Sequence, residues 1–437
     1  MKITVALAAL LSLASGLGAQ VGPASPRDSA ARADSIARAD SLALVRELEA
    51  LERGGRDTTS VAALTPGQGP INPRLMPDIS VIGDVVADLS PSGSTLEGGR
   101  RFDIREVELA LGAAVDPYFR ADFIFGVSDL EGIAVEEAYV TATALPWSLL
   151  AKVGRFHMPI GKQNTTHRPE LQTVEYPHVI QRFLGPEGGK GTGLWFSRIF
   201  APFGFYQELQ ATAVDHLGEA EEDEELETLE PSNRSLGGLG YSARLRNYWD
   251  MSEASNLELS ASAATSRRAQ PVLCGGVPVC PGIDGTPGVN ARQSLVGADL
   301  TFRWRPLQQG LYKSFIAQAE YLRQLNQNDP ALPPAFGAAA EYIGPSRNLD
   351  GGYAFARYQL TRRTHIGGRF DWVEEEDAAG EKANATAFSA YLQFFPSEFS
   401  KLVGAYERFI PPGQAERTNR ILLQMTFSIG PHRPHPF

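Results

Sequence analysis

The chain has 437 residues, with 40 Lys and Arg against 51 Asp and Glu, a formal charge of −11. That acidic balance excludes nucleic acid as a partner, because phosphate binding needs a basic surface. After the first twenty residues no run of about 18 apolar residues occurs, which excludes a bundle of membrane helices and leaves a closed barrel as the one way to span lipid.

The sequence opens on a short basic start, Met1-Lys2, followed by the apolar stretch "ITVALAALLSLA" and the small residues of "SGLGAQ". This is the pattern of a secretory signal, so residues 1–19 are expected to be removed on export. In residues 20–77, "ARADS" occurs twice before Leu44, Val45, Leu48 and Leu51. Good helix formers and the Gly54-Gly55 stop predict one periplasmic helix, then a linker through Pro70, Pro73 and Pro77. Its short apolar seam suits a solvated spacer as well as an oligomerisation element.

From Ile79 the hydrophobic period changes to two. Val107, Leu109, Leu111 and Ala113 alternate with Glu106, Glu108 and Ala110, and Phe119, Ala121, Phe123 and Phe125 alternate with Arg120 and Asp122. Sixteen such segments are predicted, starting near Ile79, Phe102, Phe119, Val135, Leu149, Gly191, Phe203, Leu236, Asn256, Leu295, Ser314, Gly351, Thr364, Ala383, Lys401 and Asn419. Short connections, such as "DPY" at Asp116 and "LTRRT" at Leu360, alternate with long ones at 159–190, 215–235, 266–294 and 326–350. A soluble sandwich has no reason to sort its loops by parity. A transmembrane antiparallel β-barrel does so, with short periplasmic turns and long external loops, and this all-β class is expected over residues 78–437. In the last segment Ile421, Leu423, Met425, Phe427 and Ile429 lie opposite Arg420, Gln424, Thr426 and Ser428. Tyr248, Trp249, Trp304, Tyr312 and Trp372 fall at segment ends, where aromatic rings favour the headgroup boundary, so lipid is expected on the dry side.

Cys274 and Cys280, the two cysteines of the chain, flank "GGVPV" in an expected loop. In an exported protein such a pair is read as a disulfide. The acid run "EAEEDEEL", 219–226, reads as a solvated face, or as carboxylates for divalent cations that bridge lipopolysaccharide. His157, His167 and His178 match no zinc spacing, and neither a metal nor a cofactor is expected.

The stretches "REVELALGAAVDPYFRADFIF", "VEEAYV" and "KVGRFHMPIGKQNTTHRPEL", leading into "GPEGGKGTG", resemble the phosphate-selective porin O and P family. The resemblance implies a trimeric sixteen-stranded porin of the outer membrane whose third external loop, here Pro159 to Lys190, folds inward. That loop carries Lys162, His167, Arg168, Glu170, Glu175, His178 and Arg182, which become the candidate constriction residues. The sequence departs from the family in having no dense arginine ladder on one strand, and in the prolines of "GPHRPHPF" after the last segment.

If the apolar set faces lipid, the alternate set lines a water-filled pore. The candidate lining is Glu106, Glu108, Arg120, Asp122 and Glu137 on the early segments, and Arg244, Arg246, Arg303, Arg305, Arg357 and Arg369 on the later ones. Acids and bases partly segregated around the ring either set up a transverse field that favours polar solutes or pair with one another. The expected function is passive diffusion of small hydrophilic solutes, anions such as phosphate among them, with outer-membrane lipid and lipopolysaccharide as surroundings. A closed, envelope-tethering barrel is the rival. An enzyme is disfavoured, since no G-x-S-x-G elbow and no Ser with a neighbouring His are present.

Overall fold

The computed structural model describes residues 77–430, apart from 129–131, 216, 218–225, 229–235, 278–279, 281–285, 377–380 and 414–415. The expected signal peptide, the helix with nearly all of its linker, the acid run up to residue 225 and the proline-rich end after Gly430 lie outside the described residues.

Alternating side chains fold the chain into strands because each strand can then turn one face to water and the other to an apolar medium. In chain order the strands are β1 (Asp78–Asp88), β2 (Phe102–Ala114), β3 (Phe119–Ser128), β4 (Gly132–Ala142), β5 (Leu149–His157), β6 (Lys190–Phe200), β7 (Tyr206–Val214), β8 (Leu226–Thr228), β9 (Gly240–Ser252), β10 (Ser255–Cys274), β11 (Thr286–Trp304), β12 (Phe315–Asn326), β13 (Ala340–Tyr342), β14 (Leu349–Gln359), β15 (Thr364–Glu376), β16 (Lys382–Ser397), β17 (Ser400–Ile410) and β18 (Thr418–Ile429). Sixteen of them form a closed antiparallel barrel, each pairing with its neighbours in sequence. The ring closes where β1 pairs with β18, from Val81 opposite Ile429 to Asp88 opposite Leu422. Closure leaves no barrel strand with an unpaired edge. The three-residue strands β8 and β13 add to the long-loop end, β8 beside β11 and β13 beside β10.

The faces follow the expected parity. On β18, Ile421, Leu423, Met425, Phe427 and Ile429 are exposed while Leu422, Gln424 and Thr426 are buried, and on β16 Phe388, Leu392 and Phe394 are exposed while Ser389, Tyr391 and Gln393 are buried. At the short-turn rim Tyr118, Trp147, Phe203 and Tyr312 are exposed, and Phe205 packs between Phe203 and Trp249. An outward apolar surface this continuous is what lipid contact requires.

Two expectations about the strands need correction. The connection expected at 266–294 is largely strand: β10 and β11 run for 20 and 19 residues, with Gln270 opposite Val289. About 9–11 residues cross a bilayer, so the excess projects as a ribbon at the long-loop end. Its tip holds the expected disulfide, Cys274–Cys280, with a Cα–Cα distance of 5.2 Å, and a small core of Val272, Val289 and Phe336 beneath it. The second correction is in β4, where a bulge opposite Ile124 and Phe125 inserts one extra residue. Glu136 and Glu137, adjacent in sequence, are therefore both buried on the inner side, against strict alternation.

Candidate functional site

The segment from Met158 to Gly189, between β5 and β6, does not project outward; its side chains meet the inner faces of strands around the ring. Asn164 ties its two ends together: its Nδ2 donates to Met158 O at 2.8 Å and Gly189 O at 3.0 Å, and the Gly189 N–H donates to Oδ1. Met158, Ile160, Leu171, Val174, Tyr176 and the helix α1 (His178–Leu184) supply an apolar core, which continues into Leu322, Tyr353 and Val373 on the wall. The segment is thus a folded unit rather than a loose strap, because its buried side chains pack as a domain core does.

Polar contacts fix it on every side. Lys162 Nζ lies 3.0 Å from Glu258 Oε2 on β10, and the Lys162 N–H donates to Glu320 Oε2 on β12 at 3.0 Å. Gly161, at φ 63°, sits where any Cβ would collide with the Glu320 carboxylate. His167 holds Glu108 of β2 at 3.1 Å through Nδ1 and Glu137 of β4 at 3.2 Å through Nε2. Glu175 pairs with Arg420 of β18 at 2.9 Å, His178 lies 3.4 Å from Glu407 of β17, and its N–H donates to Asp371 of β15 at 3.1 Å. Lys401 of β17 donates to the carbonyls of Pro169 and Leu171 at 2.9 and 2.8 Å. Arg369 donates to Glu175 O at 2.7 Å while pairing with Asp371 at 2.6 Å.

Burial sets the charge states in this segment. It pushes the Lys162 ammonium down to about 8 against the pull of Glu258. Burial also opposes charge on His167, but the Glu108 and Glu137 carboxylates outweigh it and hold the ring well above the ordinary histidine range. Burial would raise Glu187; Lys190 and Arg168 reverse that and bring it to about 2.

Of the expected constriction residues, Lys162, His167, Arg168, Glu175 and His178 all make contacts inside the ring. Arg168 is 3.4 Å from Glu187 within the segment itself. Glu170 is half-buried and electrostatically linked to Lys401. Arg182 departs from expectation: it lies on the exposed side of α1, because Val179, Ile180 and Phe183 claim the packed side. Of the expected lining, Glu106, Glu108, Asp122, Glu137, Arg244 and Arg369 are buried on the inner side. Arg120 is half-exposed at the short-turn rim, 3.2 Å from Asp122. Arg305 is exposed beyond the end of β11, held by the Gly310 carbonyl at 3.0 Å, so it belongs to the mouth and not to the wall.

The structure adds residues that sequence reasoning missed. Glu258 gathers Lys162, Arg246 at 3.1 Å and Arg303 at 3.3 Å around one buried carboxylate. Its parity with Asn256, Ser260 and Ser262 was a readable signal. Glu407, Lys401 and Arg420 were equally readable by parity, whereas Glu136 was hidden by the bulge. The later strands are largely self-paired, as in Arg244–Asp299 at 2.9 Å and Arg246–Glu208 at 2.7 Å. Arg357 differs, since its hydrogen-bond partner is the Gln393 amide at 3.1 Å and no carboxylate pairs with it among the described residues.

Two cavities flank the folded-in segment and share no lining residue. Toward the long loops, about 450 Å³ is lined by Arg105, Arg168 and Arg420 with Asp103, Glu175, Glu187 and Glu407 among others. Toward the short turns, about 910 Å³ is lined by Lys162, Arg246, Arg303, Arg305, Arg357 and Arg362 against Asp250, Glu253 and Glu258. Six basic side chains, Lys162 among them charged below about pH 8, against three acids give this lower chamber a positive potential at neutral pH.

A distinct buried cluster sits where the segment meets β2, β4 and β5. Five carboxylates, Glu106, Glu108, Glu136, Glu137 and Glu187, face two permanent cations, Arg168 and Lys190. The His157 and His167 rings meet edge to face at 4.7 Å between centroids. Both ring nitrogens of His157 are buried without a side-chain hydrogen-bond partner.

Comparison with known proteins finds no protein-family model that matches the chain. An uncharacterized protein of Aquifex aeolicus is 27% identical over 357 residues, covering 77% of this chain and 70% of that protein. Among solved structures, a loop-L8 deletion mutant of OmpT, an outer membrane protein of Vibrio cholerae, is similar at a TM-score of 0.52 with 9% identity, over 82% of this chain and all of that one. An anion-selective porin from Comamonas acidovorans is similar at a TM-score of 0.50 with 9% identity, over 81% of this chain and all of that one. The closed sixteen-stranded barrel of this chain is therefore the fold that outer-membrane porins adopt.

Proposed function

We infer that the chain is an outer-membrane porin that passes small hydrophilic solutes by passive diffusion, narrowed by residues 158–189 and favouring anions such as phosphate or small carboxylates. The observation that carries this reading is the segment's position inside the ring, with a positive chamber of about 910 Å³ below it. A charge in such a partly desolvated chamber acts on a passing ion more strongly than it could in bulk water. The fold shared with an anion-selective porin supports the same reading. The outward apolar surface fits outer-membrane lipid, the long-loop end fits contact with lipopolysaccharide, and the assembly in keeping with the O and P family resemblance is a homotrimer. Phosphate selectivity in that family's manner is the finer part of the proposal, carried by Arg357 and its neighbours instead of a ladder.

One observation favours a second reading, a barrel closed at rest: the two cavities share no lining residue. Planar-bilayer recording in a salt gradient separates the two. A porin gives discrete conductance steps with a reversal potential on the anion side; a closed barrel gives none.

A further inference from the structure

We propose that Glu136, His157 and His167 form a binding site for a divalent transition metal of zinc type, joining the folded-in segment to the barrel wall. Each residue places one donor atom so that all lie within 4.8 Å of one another. The ligands come from three places: β4 supplies Glu136, β5 supplies His157, and the lumenal segment supplies His167. Two imidazoles and one carboxylate are the donor set of many three-ligand zinc sites, with a fourth position left for water or another carboxylate.

Three features independent of that spacing point to a cation. His157 is 8% exposed, and neither of its ring nitrogens has a side-chain hydrogen-bond partner, although its ring faces that of His167. A buried imidazole whose nitrogens meet no side-chain partner is placed as a metal ligand can be, since buried polar groups as a rule find partners. His167 already shows the support that a metal-bound histidine needs: Glu108 at Nδ1 and Glu137 at Nε2, so one nitrogen can stay held by a carboxylate while the other turns to the metal. Five carboxylates against Arg168, Lys190 and the His167 ring leave acids in excess, and a dication would take the place of the proton that Glu108 and Glu137 hold on His167. The Glu136 carboxylate also contacts Lys190, so a metal would share that residue or displace the ammonium toward Glu187, 3.1 Å away.

The sequence hides this site because metal motifs are read as fixed spacings on one element. Here the donors are brought together only when the segment between β5 and β6 folds back on β4. A metal at this junction would hold the segment's first turn to the wall, opposite the Lys162–Glu258 contact.

The test uses the full chain carrying His432→Gln and His435→Gln, which removes the histidines of the C-terminal "PHRPHPF" from competition. After chelator treatment and reloading with zinc alone, elemental analysis should give one zinc per chain. X-ray absorption on the loaded protein should show two imidazole ligands. His157→Gln or His167→Gln should each remove that equivalent, and Glu108→Gln should weaken binding by about 10- to 100-fold as an outer-shell change does. Heat-modifiable migration on gels checks that each variant keeps its barrel. Absence of stoichiometric zinc, zinc unaffected by either histidine change, or a spectrum without imidazole would each overturn the proposal. Because no conductance is read, its failure is distinct from failure of the porin reading.

Discussion

Arg357 and Arg305 show how position inside a barrel decides what a charge does. Arg357 lies on the wall of the lower chamber with an amide as its partner, while Arg305 is exposed at the mouth. A unit charge about 4 Å from an ion is worth about 4 kcal/mol near a protein surface but about 1 kcal/mol in bulk water, where salt also screens it within about 8 Å. Arg357→Gln should therefore move the reversal potential toward cations by more than Arg305→Gln, and equal shifts would refute the chamber's role. Lys162 adds a pH dependence. Its ammonium, brought down to about 8 by burial, is charged below that pH and neutral above it. Anion preference should fall as pH rises from 7 to 9, and the fall should vanish in Lys162→Gln; an identical pH profile in that variant would count against it. Glu258 is the opposite case. Removing a carboxylate that holds three bases leaves a buried cluster unbalanced, which costs on the order of 3–5 kcal/mol. Glu258→Gln should lower the temperature at which the barrel unfolds on gels while increasing anion preference, and an unchanged melting point would show that water already screens these pairs.

At the scale of elements, the segment between β5 and β6 stands or falls on Gly161. Its positive φ and its contact with the Glu320 carboxylate leave no room for a Cβ. Gly161→Ala should lift the segment from β12 and raise single-channel conductance; a channel indistinguishable from wild type would mean the segment does not bound the path. The β10–β11 ribbon carries its disulfide at a tip that projects from the long-loop end, so replacing Cys274 and Cys280 with Ser should leave conductance unchanged. The strands of the barrel wall are legible because one face meets an apolar medium and the other the lumen, which imposes a period of two, and the expected starts at Phe102, Phe119, Leu149 and Thr364 coincide with the observed ones. The β10–β11 ribbon is not legible as strand, since polar residues such as Arg267, Arg268 and Gln270 carry no alternation where both faces meet water. The Glu136 bulge was illegible for a different reason: register is a property of two strands, and one strand's sequence does not contain it.

For the whole molecule, what the sequence could not supply is which wall residue each lumenal side chain meets. The pairs His167–Glu108, Glu175–Arg420 and Lys162–Glu258 join positions far apart in sequence, and only closure of β1 onto β18 brings those walls around one segment. Family resemblance pointed to the segment, and alternation pointed to the inward residues, but neither fixed their partners. The central claim is that this segment controls ion passage through the barrel. The most direct measurement is the conductance and reversal potential, in planar bilayers, of a chain in which residues 159–189 are replaced by a short Gly-Ser link, with heat-modifiable migration confirming a closed barrel. The account predicts a several-fold larger conductance and a reversal potential closer to zero. An unchanged conductance and an unchanged reversal potential would contradict it.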